Sequence, residues 1–152
     1  MRERGFEVVS AYAGKGVTLP VRKTAASAGY DFAAAEETVL LPGRVTLVPT
    51  GVKAFMPVSE VLVLAIRSSL AVRRQLMLAN GIGVIDADYY DSPETEGHIE
   101  IAVYNAGAAP VTLKKGERVA QGIFLRYETV TGDTAGEGAR RQGGFGSTGR
   151  EQ

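Results

Sequence analysis

A chain of 152 residues, with 17 Lys plus Arg against 17 Asp plus Glu, has the size of one domain with a real core and no formal net charge. That balance excludes a global basic field of the kind that gathers bulk nucleic acid or acidic membrane, so any attraction for phosphate must be local. The lack of cysteine excludes a disulfide framework, a thiolate metal site and a cysteine nucleophile, in keeping with a reducing compartment. Met1-Arg2-Glu3-Arg4 leads into only a short apolar run, so neither a signal peptide nor a membrane span is expected.

In chain order, residues 38–41 form a β-branched run that meets the breaker Pro42-Gly43 and resumes over 44–48. Residues 61–66 read as a continuous apolar strand buried on both faces, and 69–76 carry the one stretch of helical character, one or two turns long. Residues 99–104 alternate, which places Ile99, Ile101 and Val103 on one face. Residues 111–113 end at the Lys115-Gly116 turn, and 118–125 follow as another strand. Many short strands with Gly and Pro punctuation predict an all-β sandwich, barrel or jelly roll over 1–131, followed by a low-complexity segment over 132–152.

The residues that carry chemistry lie between and after these strands. Arg67 and Ser68 emerge at the end of 61–66, either as a surface charge and helix cap or as anion-binding groups. Asn80-Gly81 alone reads as a turn, but Gly81 and Gly83 within a strand pattern mark a bend or a close approach of backbone to ligand. The Asn80 amide offers both a donor and an acceptor to a pyrimidine edge, and a donor suited to a carbonyl at position 4 is left facing an amino group in cytosine. Asp86 and Asp88 stand at a strand end, Gln121 is a lone polar residue in an apolar strand, and His98, the only histidine, reads as structural. The tail from Arg140 to Arg150 combines glycines that admit phosphate to backbone N–H groups with hydroxyls, arginine forks and the flat face of Phe145. Composition alone also fits a flexible terminus, and with no Lys after the glycines it is not a Walker A loop.

Five segments occur in a fixed order: Ser27-Ala28-Gly29-Tyr30-Asp31-Phe32, Arg67-Ser68-Ser69-Leu70-Ala71, the run from Asn80 to Tyr89, Gly116-Glu117-Arg118-Val119-Ala120-Gln121, and the tail. Together they resemble the ordered motifs of the trimeric dUTP pyrophosphatases (dUTPases), over about residues 19–149. The resemblance implies a distorted, β-clip-like jelly roll with one short helix, a homotrimer with sites at subunit contacts, and a mobile C-terminal arm over 132–152 that closes the active site. It implies Mg2+-dependent hydrolysis of dUTP to dUMP and pyrophosphate by water attack on the α-phosphorus, in the cytoplasm of a bacterial or phage-infected cell. That reaction limits uracil incorporation into DNA and supplies dUMP for thymidylate synthesis.

Residue by residue, the resemblance makes Asp86 the general base and gives Gln121 the phosphate or the attacking water. It places Asn80, Gly83 and Ile85 around the base, and Tyr89 against the deoxyribose, where its ring leaves no room for a ribose hydroxyl. Arg67, Ser68 and Ser69 meet the phosphates, Arg140 the γ-phosphate with Arg141 as the second choice, and Phe145 stacks on uracil among Gly144, Gly146 and Ser147. Asp31 either reaches the metal through water or caps its own turn. The sequence departs from the family pattern twice. Ser69 stands where glycine is common, and the acidic stretch Tyr90-Asp91-Ser92-Pro93-Glu94-Thr95-Glu96-Gly97-His98 replaces a short Arg-Gly-Glu/Asn. The longer stretch is expected to be exposed and is a candidate docking point for a regulatory protein, with no stable nucleic-acid or membrane binding expected. A dCTP deaminase is disfavoured by the contexts of Asp86 and Phe145, and a purely non-enzymatic interaction protein by the intact Asp86.

Overall fold

The computed structural model describes residues 2–136 and 139–146. In chain order the elements are β1 (Gly5–Val8), β2 (Tyr30–Ala33), β3 (Thr38–Leu40), β4 (Val45–Pro49), β5 (Val52–Phe55), β6 (Glu60–Ile66), α1 (Ser68–Arg74), β7 (Leu76–Leu78), β8 (Gly83–Asp86), β9 (Glu100–Asn105), β10 (Val111–Leu113) and β11 (Arg118–Arg126), with single 3-10 turns at Ser10–Tyr12 and Ala87–Tyr89. All pairings are antiparallel: a four-stranded sheet β2-β11-β6-β8, a three-stranded sheet β4-β9-β7, and the pairs β1-β5 and β10-β3. The all-β expectation holds, with one short helix among the described residues. None of their helices is long and apolar enough to cross a membrane.

Alternation sets which side chains enter the core. Ile99, Ile101 and Val103 are buried as their spacing predicts; Ile101 lies opposite the buried Val48 of β4, and Val103 opposite the buried Leu78 of β7. An aromatic group closes one end, with Phe6 meeting Phe32 edge-on at 5.4 Å and Tyr30 at 5.4 Å. Strand β6 corrects one expectation. Leu62 and Leu64 are fully buried, but Val61, Val63 and Ala65 are only half covered, because the core lies against one face of this sheet. The helix also ends earlier than the sequence suggests. Gln75 takes a left-handed conformation at its C-cap (φ 56°), and Leu76 and Leu78 are drawn into β7, where both are buried. The runs on either side of Pro42-Gly43 part company, β3 pairing with β10 and β4 with β9.

His98 is structural, as read from the sequence. Its Nε2 accepts the Gly51 N–H at 2.9 Å, and its ring lies 5.2 Å from that of Tyr12. An Nε2 that accepts must be unprotonated, and burial pushes the imidazole pKa down from its ordinary 6.5. The unfolded chain therefore binds more protons here than the folded one. The contribution is present in full above about pH 6.5 and is lost as the pH falls from there through the folded pKa. Calorimetric melting between pH 8 and pH 5 is expected to show a falling midpoint that His98→Gln flattens; the same slope in both proteins would remove His98 from the account.

Candidate active site

Strands β7 and β8 are adjacent in sequence but do not pair, since β7 joins β9 and β8 joins β6. The Asn80-Gly81 turn between them, with Gly81 at φ 81° and its N–H on the Leu78 carbonyl, therefore spans two sheets rather than closing a hairpin. The gap it leaves is a cavity of about 340 Å³, within the range of small-molecule sites. Asn80, Gly83, Ile85, Asp86 and Tyr89 line it from this region, and Gly144, Phe145 and Gly146 from the C-terminal segment. Gly83 has a packing reason to be glycine. A Cβ there would stand 3.0 Å from the Leu64 Cβ and 3.2 Å from its Cδ1. Tyr89 is 7% exposed and donates its hydroxyl to the His98 carbonyl. Burial pushes its phenol above the ordinary value of 10, so the ring is a neutral wall.

Arg141 crosses the mouth of this cavity. Its Nη2 lies 2.6 Å from Asp86 Oδ2 and its Nε 2.8 Å from Asp88 Oδ1, so one guanidinium holds both carboxylates. Arg140, the first choice from the sequence, is exposed and does not line the cavity. Spacing cannot separate two adjacent arginines, because in an extended segment neighbours point to opposite sides and only the docked direction decides which faces in. Ser147 lies outside the described residues.

The remaining predicted residues gather elsewhere. Gln121 of β11 stands opposite Asp31 of β2, with its side chain against Gly29, and Asp31 pairs with Arg118 at 3.2 Å. Arg67 is the N-cap of α1, its N–H on the Val119 carbonyl at 2.9 Å, and Ser68 and Ser69 open the helix. This second group is distant from the first. Asp86 lies opposite Val61 at one end of β6, whereas Arg67 follows Ile66 at the other. Six residues at about 3.3 Å each put them roughly 20 Å apart within one chain. Within one chain the two half-sites are therefore separate.

Among the described residues no three of His, Cys, Asp and Glu gather as a metal cage. The carboxylates present suit a hard divalent cation that arrives on a polyphosphate and keeps most of its ligands from phosphate and water. Asp31 is half-buried and tied to Arg118.

A family model described as dUTPase matches residues 15–149. A deoxyuridine 5'-triphosphate nucleotidohydrolase of Lactococcus lactis is 47% identical over 149 residues, which is 98% of this chain and 99% of the relative. A solved dUTPase from Streptococcus mutans superposes with a TM-score of 0.80 at 47% identity, covering 84% of this chain and 99% of that one. The dUTPase of Staphylococcus bacteriophage 80alpha shares the fold at a TM-score of 0.72 and 21% identity, covering 90% of this chain and 98% of its own.

The Gly83–Leu64 contact carries a direct prediction. Gly83→Ala is expected to destabilise the protein by about 1–3 kcal/mol through overpacking, measured by denaturant unfolding, and Leu64→Val in the same chain should return part of that loss. Additive effects of the two changes would contradict the contact.

Proposed function

From the chain's membership of the dUTPase family, in which it hydrolyses dUTP to dUMP and pyrophosphate, we propose that each site is completed by residues of two or more copies of this chain in a homotrimer. The observation that carries this reading is the separation of the two half-sites along β6. Val45, Leu47 and Met77, all more than 40% exposed, add to it. They share the outer face of the sheet β4-β9-β7, with Val45 and Met77 both opposite Tyr104, and form an apolar surface suited to burial against another copy.

In this reading uracil enters the cavity between β7 and β8, where the Asn80 amide and the backbone of Gly83 and Ile85 read its polar edge. Tyr89 lies under the deoxyribose, and its ring rejects a ribose hydroxyl sterically. Arg67, Ser68, Ser69 and Gln121 of a neighbouring copy hold the phosphates in line. Asp86 takes a proton from a water whose oxygen attacks the α-phosphorus. The bond from that phosphorus to the bridging oxygen breaks, and pyrophosphate leaves with the electron pair. Because Arg141 holds Asp86 and Asp88 in the nucleotide-free chain, the incoming triphosphate competes for its guanidinium and leaves Asp86 free to accept. Arg140 is then a second cation for the γ-phosphate.

Mg2+, bound with the triphosphate, would spread the charge that develops on the leaving pyrophosphate. Asp31 would hold it through water. Residues 132–152 act as the arm over this site, with Phe145 stacking on the base and Gly144, Gly146 and Ser147 around it. The cytoplasm, where deoxynucleotides are made and used, is the compartment that suits this reaction.

Asp86→Asn keeps the shape and the contact to Arg141 but removes the proton acceptor. Turnover is expected to fall at least about a hundredfold with little change in dUTP binding, as for other general bases. Pyrophosphate release by the variant at close to the wild-type rate would show that Asp86 is not the base.

A further inference from the structure

The acidic stretch after the 3-10 turn at Ala87–Tyr89 is exposed at Asp91, Pro93 and Glu94, as expected, but it is not a free loop. It folds on itself through Ser92 N–H to the Tyr89 carbonyl at 3.1 Å, Glu96 N–H to the Ser92 carbonyl at 2.8 Å and His98 N–H to the Thr95 carbonyl at 3.0 Å. Lys53 of β5, itself buried, then ties down two of its three carboxylates, of which Asp91 stays half exposed. Its Nζ contacts Asp91 and lies 2.9 Å from Glu96, and Glu96 also accepts the Ser10 backbone N–H and hydroxyl. Glu94 is left at the outer end, held by a framework that reaches back to β5.

That residue meets the C-terminal segment. The Glu94 N–H donates to the Gln142 carbonyl at 2.8 Å, and the buried Gly143 packs so closely that a Cβ there would stand 3.1 Å from the Glu94 Cβ. Its neighbours are fixed in the same direction. Arg141 is tied to Asp86 and Asp88, and a Cβ on Gly144 would lie 3.2 Å from the Tyr89 ring. Three consecutive attachments therefore set the register of residues 141–144, and the middle one belongs to the longer loop.

We propose that this loop is a positioning element for catalysis, with Glu94 as the seat that sets where Phe145 reaches the base cavity. Its effect on turnover rests on the dUTPase reading; its contact with the arm does not. An extended segment held only at Arg141 could slide by a residue, which would turn Phe145 away from the cavity; a backbone hydrogen bond at the next residue blocks that slip. Lys53 matters because it presents Glu94 rather than because it touches the arm.

The contact can be broken and repaired from either side. Gly143 has no left-handed φ, so Gly143→Ala introduces a methyl group with no backbone penalty of its own. Removing the opposing side chain with Glu94→Gly keeps the loop N–H and reopens the space. In the full-length protein, Gly143→Ala is expected to lower kcat about tenfold, the scale of a misplaced catalytic segment, with the melting midpoint unchanged. The same change should remove hydrogen-exchange protection from the Glu94 amide in the absence of nucleotide. Gly143→Ala with Glu94→Gly should recover both readings to the level of Glu94→Gly alone. Wild-type exchange and turnover in Gly143→Ala, or a defect that the second change does not relieve, would overturn the proposal. A wild-type protein that releases no pyrophosphate from dUTP would instead overturn the dUTPase reading, and the exchange measurement would still decide whether Glu94 seats the arm.

Discussion

Strand β6 lies between β11 and β8 and sets the distance at which the two halves of the chemistry are held. Its register is tightly fixed. Leu62 and Leu64 are in the core, and a slip of one residue would turn both toward the half-covered face. Gly83 packs against Leu64 with no room for a Cβ, which fixes β8, and with it Asp86, near the amino end of β6. Arg67 and α1 begin at the other end, beside Gln121 and Asp31 of the strands on that side. A chain built this way can hold both half-sites rigidly but cannot fold them onto one another. In the proposed reading, association of copies is part of the catalytic apparatus.

The same fold accounts for the cavity. Because β7 and β8 go to different sheets, the backbone at Asn80 and Gly81 bridges a gap that a paired hairpin would have closed. The gap is lined by main chain, by Tyr89 and by the arm rather than by a dense set of ionisable groups, as suits recognition of a neutral base. Arg141 lies against Asp86 and Asp88, and Glu100 is the other charged residue of the lining. Two carboxylates so close together repel one another, and the guanidinium between them offsets that repulsion.

Much of this was legible in the chain. The alternation at Ile99, Ile101 and Val103 survives folding because one face of β9 is core and the other is not. Ordered segments spread over nearly the whole length pointed to the family before any coordinate. What was hidden depended on partners distant in sequence. Strand β5 carries Lys53, whose charge argues against burial until Asp91, Glu96 and Glu7 are brought to it by folding. The tether on the acidic loop was hidden for the same reason, since nothing local shows that Asp91 and Glu96 share Lys53. The two-sided burial expected of 61–66 failed because apolar composition does not tell a strand with one covered face from one with two. Which of the two adjacent arginines meets Asp86 and Asp88 depends on which side of the arm faces them, and in the nucleotide-free chain it is Arg141.

The account stands or falls on whether the half-sites combine between chains, and subunit mixing measures that directly. Asp86→Asn spoils only the cavity half, and Gln121→Ala only the phosphate half. Each variant alone should be nearly inactive. Co-refolded in equal amounts, they should form trimers in which some sites take Asp86 from one chain and Gln121 from its neighbour; for random mixing that is about a quarter of all sites, with wild-type kcat per intact site. Recovery of pyrophosphate release toward that level is the predicted result. Mixtures confirmed as mixed trimers that remain as inactive as their parents would mean that both halves act within one chain, which is the opposite of what β6 allows.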